Sequence, residues 1–461
     1  MAVLAPMIFP LIIGIFVYLL WKHLEHRRRF AGIPSPRSYP LIGHLMIIKP
    51  DIQGFAEQVM GMGNVYPDEG MVVFWAGPVP ILMIFAPEYL EPIFTNSKHF
   101  NKPFLYDMMN FVFVFNKQAE ILVQQLKKAV ESGEKSIEIS KYVTLCALDI
   151  ICETSMGKCI NAQYETDSEY VKAVYRINDI IQQRQKNPLV WSDWTFNLFG
   201  DGKEHDWALN VLHSFTRKVI KERKEEMKSE KLDTTERMAF LDMLLTMEER
   251  GEISTEDVEQ EVDTFMFEGH DTTAAAINWS LHLLGNHPEE QEKALAEIEQ
   301  VIGDSSEVTF DHLGKLKYLE CIIKESLRLQ PSVPMFARVL GEDQKLEDFV
   351  IPEGTQILVN PYLIHRDPLH WEDPDAFKPE RFFPENARGR HAFAFVPFSA
   401  GSRNCIGQRF ALMEEKTVLT NILRNFKILS SKRRDQLGFK IELILRAVDG
   451  VRVALSPRSG A

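Results

Sequence analysis

The sequence predicts a mainly α-helical protein with small β-sheets, built as one large domain over residues 44–461 behind an apolar N-terminal segment. Three observations carry that reading. The hydrophobic fraction of 45% is ample for a large core. From about residue 86 to 330 the apolar positions recur mostly at helical spacing. Strand patterning shows in two pairs of short runs. Residues 72–75 and 81–85 flank Gly77-Pro78-Val79-Pro80, and residues 443–445 and 451–455 flank Asp449-Gly450, so each pair reads as a β-hairpin.

Residues 3–21 carry no charge, and Lys22, Arg27, Arg28 and Arg29 follow at once. That length spans a membrane with little slack, and the basic flank is expected to stay cytosolic. A cleaved signal peptide fits less well, because the charges follow the apolar run and no small-residue cleavage site is evident. We therefore expect a retained anchor over residues 1–22, then a basic flank and hinge over 23–43. Residues 32–43, with three prolines, form a stiff extended link. The charge run at 221–231 reads as a solvated helix end or loop. A net charge of −13 argues against nucleic acid as a partner, since nothing would neutralise phosphates. Five cysteines without a CxxC spacing make neither a disulfide framework nor a zinc site. Asn278-Trp279-Ser280 matches a glycosylation sequon but falls inside a helical pattern, so it is discounted.

The chain is organised around residues 398–407, Phe-Ser-Ala-Gly-Ser-Arg-Asn-Cys-Ile-Gly. A patterned helix follows, with Leu412, Val418, Leu419, Ile422 and Phe426 on its apolar face. A cysteine just ahead of a helix has its thiolate favoured by the dipole and by free backbone N–H groups. Gly401 and Gly407 permit turns that bring those groups close, and Arg403 adds a fixed positive charge. Taken alone, Cys405 reads as a core cysteine. With its neighbours it suits a thiolate that holds a metal inside an anionic cofactor, as in haem.

The longest helical pattern runs over 256–285 and is closed by Asn286-His287-Pro288. Glu268, Thr272, Ala275 and Ala276 share one face at i, i+4, i+7 and i+8, with Asp271 beside them. A carboxylate and a hydroxyl among small residues make a poor core stripe but a good wall for a flat cofactor. Gly269 weakens the helix locally and Thr272 can divert a carbonyl, which makes a kink plausible. Polar residues satisfied at a solvent face are the bland alternative. Glu325 and Arg328 form an i, i+3 pair, ordinarily a surface feature.

The Phe-x-x-Gly-x-Arg-x-Cys-x-Gly loop resembles that of the cytochrome P-450 family, the haem-thiolate monooxygenases. The proline-rich link resembles the hinge behind their microsomal anchors. The resemblance makes Cys405 the metal ligand of haem b and places Arg403 beside it. It gives Asp271 and Thr272 the role of the acid–alcohol pair that delivers protons. Glu268-Gly-His-Asp-Thr-Thr more narrowly resembles family 4, the fatty-acid ω-hydroxylases, in several of which the matching glutamate forms an ester with a haem methyl. Glu268 is that candidate here. Glu325, Arg328 and Arg381 match a buried triad, and Arg338, in Val333-Pro-Met-Phe-Ala-Arg338, matches the arginine sent to a haem propionate. His391 is a second propionate candidate or a satisfied surface histidine.

One expected piece is absent. The family carries a helix with Trp-x-x-x-Arg that holds a propionate, and no such spacing occurs in this chain. Residues 96–107 read as the segment ahead of it and 115–123 as the helix behind it, so the join falls near 109–114. Ser402 and Ala447 are minor departures. The implied activity is insertion of one oxygen atom from O₂ into a terminal C–H bond of a fatty acid. Its electrons come from NADPH through a cytochrome reductase, at the endoplasmic reticulum membrane with the body in the cytosol. Two rivals remain. One is a haem-thiolate peroxide isomerase that needs no reductase. The other is an impaired or silent family member that lacks a helix.

Overall fold

The computed structural model describes residues 109–164, 168–229 and 239–458, most of 24–39 and 70–89, and scattered positions between 42 and 66. The apolar stretch 3–21 expected as an anchor, and residues 96–107, lie outside the described residues. Among the described residues no helix is long and apolar enough to cross a membrane. The chain forms two compact units, one of Met1–Phe100, Pro334–Asp375 and Gly389–Asn404, the other of Asn101–Val333, Ala376–Arg388 and Cys405–Ala461. It passes from one to the other five times, so no single linker divides it.

The first unit is built on a four-stranded sheet. Strand β1 (Met71–Ala76) pairs antiparallel with β2 (Val79–Ile84) around Gly77, whose φ of 63° suits glycine. The hairpin expected over 72–85 is thus present. Two later strands, β3 (Phe336–Val339) and β4 (Gln356–Val359), complete the order β1-β2-β4-β3, with β2 parallel to β4. Val72, Leu82 and Ile357 are fully buried, which fixes the register. Arg338 sits on β3 opposite Ile357.

The second unit is helical. Its members include α1 (Met109–Glu131), α2 (Ile139–Ser155), α3 (Glu169–Lys186), α4 (Gly202–Ser229), α5 (Thr255–Asn286), α6 (Lys317–Leu329) and α7 (Gln408–Asn425). Helix α5 is the expected long one. Ser254 caps its start in a capping box with Asp257, and His287 ends it ahead of Pro288. Residues 273–285 are buried without a break, so its second half is the rod on which the unit packs. It runs as one helix through Gly269, where a Cβ would come within 2.7 Å of Ile151 Cδ1. That glycine therefore serves close packing against α2. Helix α7 docks on α1 through Phe410, whose ring lies edge-on to Phe111 at 5.1 Å and Phe115 at 5.0 Å.

The C-terminal hairpin expected around Asp449-Gly450 does not form as such. Four strands are involved: β5 (Phe426–Ser430), β6 (Phe439–Ile441), β7 (Leu445–Ala447) and β8 (Arg452–Pro457). β7 pairs back on β6, whereas β8 pairs with β5 and with Ile137–Glu138. The turn at 449–450 is real, with Gly450 at φ 71°, but it joins strands of different sheets. Val453 and Leu455 find their apolar partners in Ile137 and Ile428, which lie far away in sequence.

Candidate functional site

Cys405 lies two residues ahead of Gly407, the N-cap of the 18-residue helix α7. None of the five cysteines is in a disulfide, and Cys405 is exposed, unlike Cys146, Cys152 and Cys321. Desolvation pushes the thiols of Cys146 and Cys152 well above the ordinary value. Cys405 is instead an exposed residue beside a helix N-terminus, a setting that in general favours a thiolate. Gly407 stands close by, since a Cβ built there would lie 3.8 Å from the sulfur.

Upstream, the first unit carries the two arginines singled out from the sequence. Arg338 Nη2 donates to Ser399 Oγ at 3.0 Å and to the Arg403 carbonyl at 3.3 Å, and Nη1 donates to the Ala337 carbonyl. Ser399 adopts φ 61°, a strained setting for a residue with a side chain, and Gly401 follows at φ 72°. Burial, then the like charge of Arg403, lowers the proton affinity of Arg338. Neither arginine has a carboxylate partner among the described residues. Two adjacent guanidiniums without a counter-ion are a donor set for an anionic group, and haem propionates fit that requirement. His391 Nδ1 accepts the Phe393 backbone N–H at 3.3 Å and closes a local turn.

Helix α5 places the remaining residues. Glu268 is exposed, yet the protein around it desolvates its carboxyl enough to raise it above the usual range. Thr272, half-buried, donates from Oγ1 to the Glu268 carbonyl at 2.7 Å, the diverted carbonyl expected from the sequence. Ala275 and Ala276 continue the stripe and are buried. Asp271 lies apart from them. It is buried and accepts from Arg446 and Asn178, two residues that nothing in the sequence singles out. Both sit far away in the chain, on β7 and α3, and no local signal marks them. Asn278, the asparagine of the sequon, is only 6% exposed, so a glycan has no access to it.

The supporting polar core is present. Glu325 and Arg328 are fully buried, with Arg328 Nε at 2.7 Å and Nη2 at 2.8 Å from the Glu325 oxygens. Arg381 Nε stands 3.4 Å from Glu325, whose Oε1 also accepts the Lys378 N–H at 2.9 Å. Arg328 further donates to the Ala376 carbonyl at 3.0 Å. Glu325 and Arg328 are each paired with an opposite charge and hydrogen-bonded, the condition under which a buried ion pair is tolerable.

An exposed cysteine ahead of a helix and an acid–hydroxyl pair on α5 are the features the resemblance to a haem-thiolate protein calls for. The comparisons agree. The family model described as Cytochrome P450 matches residues 95–447. Cytochrome P450 4V2 of Mus musculus is 44% identical over 97% of this chain and 94% of its own length, and that of Homo sapiens is 44% identical over 96% and 93%. Cytochrome P450 4c3 of Drosophila melanogaster is 41% identical over 97% and 94%. The chain belongs to the cytochrome P450 family and resembles family 4 within it. It is by that membership a haem-dependent monooxygenase that uses O₂ and a redox partner reductase. The mouse alignment runs over 495 positions, whereas 97% of 461 residues is about 447. About 48 positions of that relative therefore face no residue here.

Proposed function

We propose that this chain is a fatty-acid ω-hydroxylase, anchored by residues 1–22 in the endoplasmic reticulum membrane and supplied with electrons from NADPH. The reading is carried by Glu268-Gly-His-Asp-Thr-Thr on α5, together with the identity to family 4 relatives. Haem, when bound, supplies the oxygen-activating chemistry, and thiolate ligation tunes it. Cys405 holds the metal, and Arg338 and Arg403 pair with the propionates. Asp271 and Thr272 hold and move the protons. Glu268 lies one turn before Thr272 and can bond to the cofactor as an ester. The Asp271–Thr272 pair argues against a peroxide isomerase, which needs no proton relay, and absolute dependence on NADPH and reductase distinguishes the two.

A second reading is favoured by the missing stretch. The gap against the relatives and the absence of any Trp-x-x-x-Arg spacing point to one lost helix near 109–114. A propionate loses a charge-assisted hydrogen bond, at about 1.5–3 kcal/mol, and the pocket loses an apolar wall. Haem retention and turnover are then weak, despite an intact Cys405 loop. The test compares this chain with one in which a related Trp-x-x-x-Arg segment is inserted near Met109, at the start of α1, for haem per polypeptide and for NADPH-driven laurate oxidation. Equal values in the two proteins refute the second reading. Absence of terminal hydroxylation from the repaired chain refutes the first.

A further inference from the structure

Helices α3 and α4 pack together over a small core of Ala173, Ile177 and Ala208. A groove of about 800 Å³ follows one face of α4 and ends at the first turn of α3. Lys203, Trp207, Asn210 and Ser214 recur at i, i+4, i+7 and i+11, which places them on that face. From Lys203 to Phe215 the groove extends about 18 Å, at 1.5 Å of rise per residue. Cys405, Glu268 and Thr272 do not line it.

Three aromatic rings form its walls. Trp207 is 41% exposed, whereas Tyr170 is only 6% exposed, with its ring centre 4.7 Å from that of Phe215. The Tyr170 hydroxyl makes no hydrogen bond to any described residue. Burial holds this phenol well above its ordinary value, so it stays a neutral O–H whose oxygen is free to accept. A buried polar group of this kind is costly unless something in the groove satisfies it.

The charges say what that partner is. Glu169, exposed beside Tyr170, enters no ion pair among the described residues. Asp206 meets the ring nitrogen of His205 at 3.6 Å. Lys203 is the one cation of the lining and stands at the far end from Glu169. The start of α3 contributes about half a positive charge, which the full negative charge of Glu169 in its first turn outweighs. Carboxylate, free phenol oxygen and aromatic faces together suit a cation that carries N–H donors, and they repel an anion.

We propose that this groove binds a small organic ammonium ion of the arylalkylamine class. Its N–H groups donate to the Glu169 carboxylate and the Tyr170 hydroxyl oxygen, and its apolar body lies along Val211 and Trp207. Lys203 disfavours the reversed orientation. Binding makes and breaks no covalent bond.

The test uses the full haem-loaded chain labelled with 5-fluorotryptophan, and 2-phenylethylamine as the probe. Trp207→Phe identifies the Trp207 fluorine signal among the seven tryptophans. That signal should shift and saturate as the amine is added. The alcohol 2-phenylethanol, of the same shape without the charge, should bind at least tenfold more weakly. Glu169→Gln should weaken amine binding about tenfold and Tyr170→Phe about threefold, both with alcohol binding unchanged. An amine can also ligate haem iron, and the Soret band reports that event separately from Trp207. A Soret change with a still Trp207 signal, or equal affinity for amine and alcohol, overturns the proposal. Both outcomes are read on the unmutated chain, so a variant that misfolds does not shelter it. Undiminished amine affinity in Glu169→Gln, with the other fluorine signals in place, overturns it as well.

Discussion

Glu325→Gln should be among the most damaging single substitutions in the second unit. Glu325 and Arg328 are both fully buried, and the guanidinium makes two contacts of 2.7 and 2.8 Å to the carboxylate. Glutamine keeps the shape and one acceptor, but leaves Arg328 a buried charge without its counter-ion. Breaking such a pair costs about 3–5 kcal/mol, whereas an exposed i, i+3 pair is worth less than about 1. Set against a total stability of about 5–15 kcal/mol, the variant stands close to unfolding. Arg381 at 3.4 Å and the Lys378 N–H at 2.9 Å lose the same anion, so the effect falls at the upper end. Urea unfolding followed by far-UV circular dichroism measures the loss. The paired change Glu325→Leu with Arg328→Met should cost less than either single change, because neither buried charge is then left alone. A loss below about 1 kcal/mol for Glu325→Gln, or strict additivity in the pair, would refute this account of the network.

Cys405→Ser should abolish the thiolate-type absorption band of the reduced carbon-monoxide complex while α7 stays folded, and an unchanged spectrum rules the cysteine out as ligand. Glu414 and Glu415 on α7 are each about 1% exposed, and both Glu414 oxygens lack a donor, so desolvation holds their carboxyls well above the ordinary 4.5. The folded state then keeps protons that the unfolded chain releases. Stability falls as pH rises above 4.5, by about 1.4 kcal/mol per pH unit for each such group until it ionises in place. Glu414→Gln should flatten that slope in pH-dependent urea unfolding, and an identical slope would show that Glu414 is paired. Gly269→Ala should destabilise by about 1 kcal/mol, since crowding of Ile151 outweighs the gain in helix propensity. Adding Ile151→Ala should remove that crowding penalty, and full additivity in thermal unfolding would count against the close packing of α2 on α5.

Much of the site is legible in the sequence because its parts are local. The Cys405 loop and the start of α7 lie within a dozen residues, and the caps of α5 are written in Ser254, Asp257 and Pro288. Glu268 and Thr272 follow from helical periodicity alone, and so does the bond from Thr272 to the carbonyl one turn back. The hairpin at 71–84 is equally local. The one strand pairing misread from sequence, at 443–455, failed because alternation marks a strand without naming its partner. Asp449-Gly450 supplies a turn there, yet β8 pairs with residues from 137 and from 426 onwards, where the apolar faces match.

The sequence by itself determined the helical class, the thiolate loop and the order of the elements, because backbone propensity, capping and side-chain period act over a few residues. Tertiary structure alone decided that Glu325 and Arg328 are a buried network and not a surface pair, since an i, i+3 spacing is the same in either setting. It alone revealed that Gly269 makes room for Ile151. It alone joined Asp271 to Arg446 across 175 residues of chain. Burial and counter-charge depend on which distant surfaces meet, and no local pattern carries that information.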